Sequence, residues 1–266
     1  MKSGYASDFT PIDLLMLQYV IAAVLLFAMC LIKHKDKLRL SSVSLKRLIV
    51  QGAFGNTLMT VFFYQSFKYL DVAVTTMLLF TYPSMVALAS FLVLGKRVSR
   101  IKVLSILGTF IGSLLVLDIL AKGSSISYLG VAFALLSAVF YAFMNIYAEN
   151  IVEDLPGLVI TFYTTVFSLI VLAVFNSGFI GKLHAVSAPS LVNAALLAFF
   201  CEIIPLTLLY EAIKRIGSVS TSIITSIELP ASAVIAFVFL GEKLSVIQIL
   251  GILIVVYCVI NLRKEE

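Results

Sequence analysis

Four polar side chains interrupt stretches that are otherwise apolar: Asn56, Tyr82, Glu202 and Glu228. Glu228 lies near the middle of residues 218–243, two positions before Pro230, and Glu202 lies three positions before Pro205. A carboxylate at the centre of a membrane span costs about 2.5–3.5 kcal/mol on insertion scales, so its default reading is functional. A proline removes a backbone donor and loosens the turn before it. Each acid therefore sits beside a weakened stretch of helix. Such a site suits the binding of a proton, or of the cationic group of a solute, at membrane depth. The competing reading is structural: either acid stays neutral and hydrogen-bonds a neighbouring helix.

Other candidates carry less. Tyr141 and Asn145 are one helical turn apart and can line one face, as can Tyr163 and Phe167. Aromatic stripes serve equally as helix-packing surface. Glu211 and Lys214, at i and i+3, read as an interfacial pair, and Glu149, Glu153 and Asp154 as a solvated loop.

The elements that must position these residues follow from composition. Hydrophobic residues make up 61% of the 266 residues and charged residues only 12%, with a mean hydropathy of +1.11. Soluble domains carry about a quarter charged residues, so this is an all-α integral membrane protein in expectation. Nine apolar runs are legible, at 12–32, 46–66, 73–94, 101–119, 128–148, 157–178, 190–212, 218–240 and 244–262. The short connections make consecutive helices antiparallel neighbours. The first run is long and lacks a small-residue cleavage site, so no cleavable signal peptide is expected.

The net charge of +5 sits in short loops, which points to membrane topology and away from nucleic acid. With the loop after the first run in the cytoplasm, Lys33, Lys35, Lys37, Arg39, Lys46, Arg47, Lys96, Arg97, Arg100, Lys102, Lys214, Arg215, Arg263 and Lys264 all fall inside. Only Lys2, Lys68, Lys122, Lys182 and Lys243 fall outside. The C-terminus is then cytoplasmic. Residues 149–154, also inside on this count, carry no basic residue to support it.

Shifting the chain by 146 residues lays Tyr64 on Tyr210, Lys68 on Lys214, Thr75 on Thr221, Phe91 on Phe237, Leu94-Gly95 on Leu240-Gly241 and Ser99 on Ser245. About a fifth of positions between 45 and 107 are identical under this shift, which indicates a duplicated unit. The charge count runs matched spans in opposite directions, the inverted-topology arrangement of many secondary transporters. The shift also pairs Asn56 with Glu202 and Tyr82 with Glu228, so an inverted repeat would bring them toward one midplane site. The expected division is 1–122 as a first repeat of about four helices and 123–266 as a second of about five. Nothing precedes the first run to match the fifth, so one span was lost, was not included, or lies upstream of the first residue.

Several runs resemble a known family. Tyr64-Gln-Ser-Phe-Lys-Tyr-Leu-Asp-Val-Ala is similar to the end of a repeat's third helix in the EamA family of the drug/metabolite transporter superfamily. Gly241-Glu-Lys-Leu-Ser resembles its following turn, Glu228-Leu-Pro its preceding helix, and Ser137-Ala-Val-Phe-Tyr-Ala the start of a second repeat. The resemblance runs from Thr10 onward and implies ten helices in two repeats of five. Against that pattern the chain lacks the first helix, has Gly95-Lys96 for the usual Gly-Glu, and carries Gln18 where many members have arginine.

Gly108 and Gly112 form a GxxxG, with Ser105 one turn earlier. Small residues let helices approach closely, so the motif fits packing on the ninth run or on a second subunit, hence a homodimer.

The leading expectation is a plasma-membrane transporter of small organic metabolites or drugs, an exporter working by alternating access, with proton coupling as an option. Its partners are a small-molecule solute and the bilayer. Neither cofactor nor metal is expected: Cys30, Cys201 and Cys258 form no CxxC, His34 and His184 lie in loops, and no GxxxxGK[ST] phosphate loop occurs. A nine-span scaffold that needs a partner is the alternative. An intramembrane enzyme would need a nucleophile with a base, or metal ligands, at membrane depth, and no GxSxG occurs.

Overall fold

The computed structural model describes residues 11–117, 127–182, 186, 188–240 and 244–262. Lys2, Lys122, His184, residues 241–243, Arg263 and Lys264 lie outside the described residues. Those described form thirteen helices: α1 Pro11–Lys33, α2 Ser42–Ile49, α3 Thr57–Ser66, α4 Val72–Leu79, α5 Tyr82–Leu94, α6 Arg100–Val116, α7 Tyr128–Ala148, α8 Gly157–Phe175, α9 Phe179–Lys182, α10 Ala188–Leu197, α11 Ile204–Thr225, α12 Glu228–Leu240 and α13 Val246–Leu262. Two π-helical segments, Val50–Asn56 and Ala198–Ile203, join α2 to α3 and α10 to α11. Joined end to end across their interruptions, the long elements make the nine expected spans.

Five of these helical runs are long and apolar enough to cross a bilayer: Ile12–Lys33, Val72–Leu94, Tyr128–Ala148, Gly157–Phe175 and Ala188–Thr225. Their outward residues are apolar too. Ile32 is 83% exposed, Phe175 85% and Val93 75%, as suits helices solvated by lipid instead of water.

Two spans differ from expectation at their junction. Residues 213–217 were expected to form a loop, yet the helix continues through Ile216 and turns at Gly217 alone, where φ is 78° and ψ 167°. That backbone conformation is open to glycine and costly for other residues, so one residue does the work of a loop.

The described residues form two compact units, Met1–Leu58 with Tyr147–Arg215 and Met59–Ile146 with Ile216–Glu266. In the first, α1 packs on α8, the first π segment packs on α8, and α10 with the second π segment packs on α1. Helices α1 and α8 are antiparallel. Cys30, near the end of α1, contacts the carbonyl of Leu158 at the start of α8, and Asp13, at the start of α1, accepts from Asn176 Nδ2 (2.8 Å) just past the end of α8. Arg47 Nη1 donates to Asn150 O (2.7 Å) and pairs with Asp154 (3.3 Å). The acidic 149–154 turn is thus at the same end of the unit as the basic 33–47 region, and Asp154 is ion-paired.

In the second unit α6 and α13 form the closest helix pair, also antiparallel. Ser105 Oγ donates to Cys258 O (3.3 Å) and Gln248 Nε2 to Val116 O (3.1 Å). A Cβ on Gly112 would lie 2.9 Å from Gly251 O, and one on Gly251 2.7 Å from Gly112 O. The small residues let the two backbones touch. The core beside this pair holds Phe80, Tyr82, Val86, Val116, Ala138, Ala142, Ile146 and Leu229.

The 146-residue shift carries α1 onto α8 and α6 onto α13, and the members of each pair run in opposite directions. Antiparallel partners are what an axis in the membrane plane produces. The helix starts agree as well. Ser99 Oγ caps α6 by accepting from Lys102 N (3.2 Å), and its counterpart Ser245 caps α13 in a reciprocal box with Gln248.

Candidate functional site

Both π-helical segments carry one of the polar residues singled out in the sequence, Asn56 at the end of the first and Glu202 in the second. A π turn displaces backbone bonds and is frequent at functional sites. In the first segment the carbonyl of Gly52 accepts from Thr57 Oγ1 (2.8 Å) and Ser168 Oγ (3.0 Å). Gly52 itself is required, since a Cβ there would lie 2.7 Å from Thr164 O.

Asn56 and Glu202 are buried within the first unit and make related bonds. Asn56 Nδ2 donates to Tyr19 OH (3.2 Å) and Ser168 Oγ (3.0 Å). Glu202 Oε1 accepts from Thr165 Oγ1 (3.0 Å). Tyr19 and Thr165 are themselves 146 residues apart, so the two bonds are counterparts, each joining a π segment to α1 or α8. Around them lie further buried hydroxyls. Gln51 Nε2 donates to Tyr210 OH (3.2 Å), and Thr164 Oγ1 lies 3.3 Å from the same oxygen.

The second unit holds Tyr82 and Glu228. Each begins a helix directly after a two-residue interruption, Phe80–Thr81 before α5 and Ser226–Ile227 before α12. These interruptions are again 146 residues apart. Tyr82 is buried, hydrogen-bonds Thr225 Oγ1 and lies 3.3 Å from Ser222 O. Its ring packs on Tyr141, with centroids 4.2 Å apart. Asn145 Nδ2 donates to Tyr141 O (2.9 Å), while its Oδ1 is buried with no partner among the described residues. Glu228 is exposed and acts electrostatically on the Tyr82 hydroxyl.

The structure therefore brings Asn56 and Glu202 into one unit, and Tyr82, Tyr141, Asn145 and Glu228 into the other. Ser105, Gly108 and Gly112 belong to the α6–α13 contact, where a Cβ on Gly108 would overlap Cys258 Sγ. Two sequence readings change. Glu211, expected to pair with Lys214, instead accepts from Gly157 N (2.7 Å) and caps the start of α8, because an unsatisfied helix-terminal donor is a better partner than a solvated lysine. Asp154, expected to be merely solvated, pairs with Arg47. Tyr19, Thr165, Ser168 and Thr225 escaped the sequence reading. The shift ties Tyr19 to Thr165, whereas Ser168 and Thr225 fall on Ala22 and Leu79 and carry no such signal.

No group of three or more His, Cys, Asp or Glu able to hold a metal occurs among the described residues. Comparison with known proteins gives a consistent picture. Residues 1–118 and 128–262 match the model of the EamA-like transporter family. An uncharacterized transporter from Clostridium kluyveri is 23% identical over 266 residues, covering 96% of this chain and 85% of that protein. The uncharacterized transporter YyaM from Bacillus subtilis is 26% identical over 236 residues, covering 85% and 75%. A solved crystal structure with 17% identity superposes with a TM-score of 0.82 over all of this chain and 92% of the other, a likeness of fold.

Proposed function

The chain belongs to the EamA-like transporter family, and on that premise we propose that it exports small organic solutes by alternating access, with protons moving in exchange. It acts in the plasma membrane with its C-terminus in the cytoplasm, performs no covalent chemistry, and consists of two repeats, 1–122 and 123–266. The carrying observation is that four helix interruptions fall into two pairs, each related by the 146-residue shift, and each holds or directly precedes a polar residue: Asn56, Tyr82, Glu202 or Glu228. Broken helices near the midplane expose backbone groups that bind solute and coupling ion. Acids there favour a cationic or zwitterionic solute, or a proton. The pairs form within one chain, so this reading does not require a homodimer.

The test is a comparison of solutes in the medium of cells producing the wild-type chain, Glu202→Gln, Glu228→Gln or no added protein, at several external pH values. At least one solute should be enriched by the wild type and fall with either variant. Its pH dependence should flatten in Glu228→Gln. Medium profiles identical to those of cells without the protein would remove the exporter reading.

A further inference from the structure

The 146-residue relation matches the Asn56–Tyr19 bond to the Glu202–Thr165 bond in the first unit, but at the paired turns of the second unit the backbone bonds differ. At Phe80–Thr81 the helical bond survives at Phe80, whose N donates to Thr76 O (3.0 Å), while Thr81 N turns to Leu78 O (3.2 Å). At the counterpart turn Ser226 N goes instead to Ile223 O (3.1 Å). The carbonyl of Ser222, counterpart of Thr76 O, is thereby released. Hydroxyls take the place of the amide: Thr225 Oγ1 donates at 2.9 Å and Ser226 Oγ at 3.4 Å, with Tyr82 OH at 3.3 Å. Glu228, the counterpart of Tyr82, makes no hydrogen bond or ion pair among the described residues.

We infer that Tyr82 and Glu228 are alternating latches, and that Glu228 can close on the carbonyl of Thr76 only when its carboxyl carries a proton. The inference rests on the transporter reading, in which two inverted repeats exchange conformations. On exchange, Ser226 N returns to Ser222 O, Tyr82 lets go, and Thr76 O is released by Phe80 N. A released buried carbonyl needs a donor. The second turn supplied hydroxyls from Thr225 and Ser226, but the matching positions are Leu79 and Phe80, which have none. Thr76 Oγ1 is committed to Val72 O (2.7 Å). Thr81 Oγ1 is likewise committed, to Leu78 O (2.7 Å). Among the described residues Glu228, as the counterpart of Tyr82, is the group placed to replace it, and a carboxylate accepts without donating, whereas the acid form has an O–H to give. Proton uptake at Glu228 thus becomes a condition for the exchange, and Tyr82 is a positioning residue that holds the unprotonated state.

The titratable groups facing Glu228 are Tyr82 and, stacked behind it, Tyr141. Helices α6 and α13 pack on α12, and Leu229 of α12 shares a core with Val86 of α5 and Ala138, Ala142 and Ile146 of α7. Helix α6 contributes Arg100 and Lys102 in its first turn, α13 Tyr257 and Cys258 near its end, α5 Tyr82, and α7 Tyr141 and Tyr147, with no ion pair to Glu228 among the described residues.

The experiment is residue-resolved amide hydrogen exchange on the full chain in lipid nanodiscs, at two pH values, with each rate divided by its intrinsic rate. In the wild type, lowering the pH should slow exchange at Ser226 and speed it at Phe80. Glu228→Gln, whose amide donates without a proton, should show that low-pH pattern at both pH values, and Tyr82→Phe should shift toward it. Unchanged amides in the wild type, or a Glu228→Gln protein that responds to pH as the wild type does, would overturn the inference. Reciprocal exchange in a protein that moves no solute would support the latches while counting against the transport reading.

Discussion

A hydrogen bond between helices in lipid has no water to fall back on, yet its measured worth is modest, averaging about 0.6 kcal/mol and reaching about 1.7. The Thr165–Glu202 bond belongs to this class. Thr165→Val is expected to lower stability by about 0.5–1.5 kcal/mol, read as a shift in the unfolding midpoint in mild detergent. Asn56 donates to both Tyr19 and Ser168, so Asn56→Leu should cost more than Thr165→Val, leaving two buried hydroxyls to find other partners. Equal midpoints for both variants and the wild type would mean that these bonds do not hold the π segments to α1 and α8. At this scale the sequence was informative about one partner in each bond. Asn56 and Glu202 stood out because amides and acids are expensive in an apolar run. Thr165 and Ser168 did not, since short hydroxyls satisfy themselves on their own helix and are ordinary there, and Tyr19 was passed over with them.

Two helix interruptions were legible from prolines: Pro205 and Pro230 follow the segment Ala198–Ile203 and the turn at Ser226–Ile227, each where a missing donor frees the preceding backbone. Pro83 follows the turn at Phe80–Thr81 in the same way, but the run 73–94 reads as one unbroken span in sequence. The segment Val50–Asn56 has no proline. It is built from the close approach of Gly52 to α8 and the hydroxyl of Thr57 on Gly52 O, tertiary features that no local pattern shows. Between elements, the α6–α13 contact makes a sharp prediction. A methyl group on Gly251 would meet Gly112 O at 2.7 Å and Val116 N at 2.8 Å, both backbone atoms that cannot step aside. Gly251→Ala should therefore cost about 1–3 kcal/mol, the range for overpacking. Gly178→Ala, with nothing within 4 Å, should leave the midpoint in place. If both variants melt with the wild type, the two helices are not in backbone contact.

Orientation is a property of the whole chain, and the basic residues decide it by number while individual contacts test its consistency. Asp154 reaches Arg47, and Tyr163 OH donates to the carbonyl of Leu38 (2.8 Å). Both contacts put the start of α8 and the turn before it at the end of the first unit that carries Lys33, Lys35 and Lys37. The acidic turn thus shares a membrane face with the basic loop, as strict alternation of spans requires. In the orientation we propose from the positive-inside rule that face is the cytoplasmic one, and Leu262, at the end of α13, should emerge there after an odd number of spans. A C-terminal fusion to green fluorescent protein should be fluorescent, and one to alkaline phosphatase inactive, because the first fluoresces inside and the second works outside. Arg47→Ala should change neither result, since orientation depends on the sum of charges and an exposed pair is worth only about 0–1 kcal/mol. An active phosphatase fusion would reverse the membrane orientation while leaving the helices, their antiparallel pairing and both π segments unchanged. The proton path inferred at Glu228 would then run toward the opposite compartment.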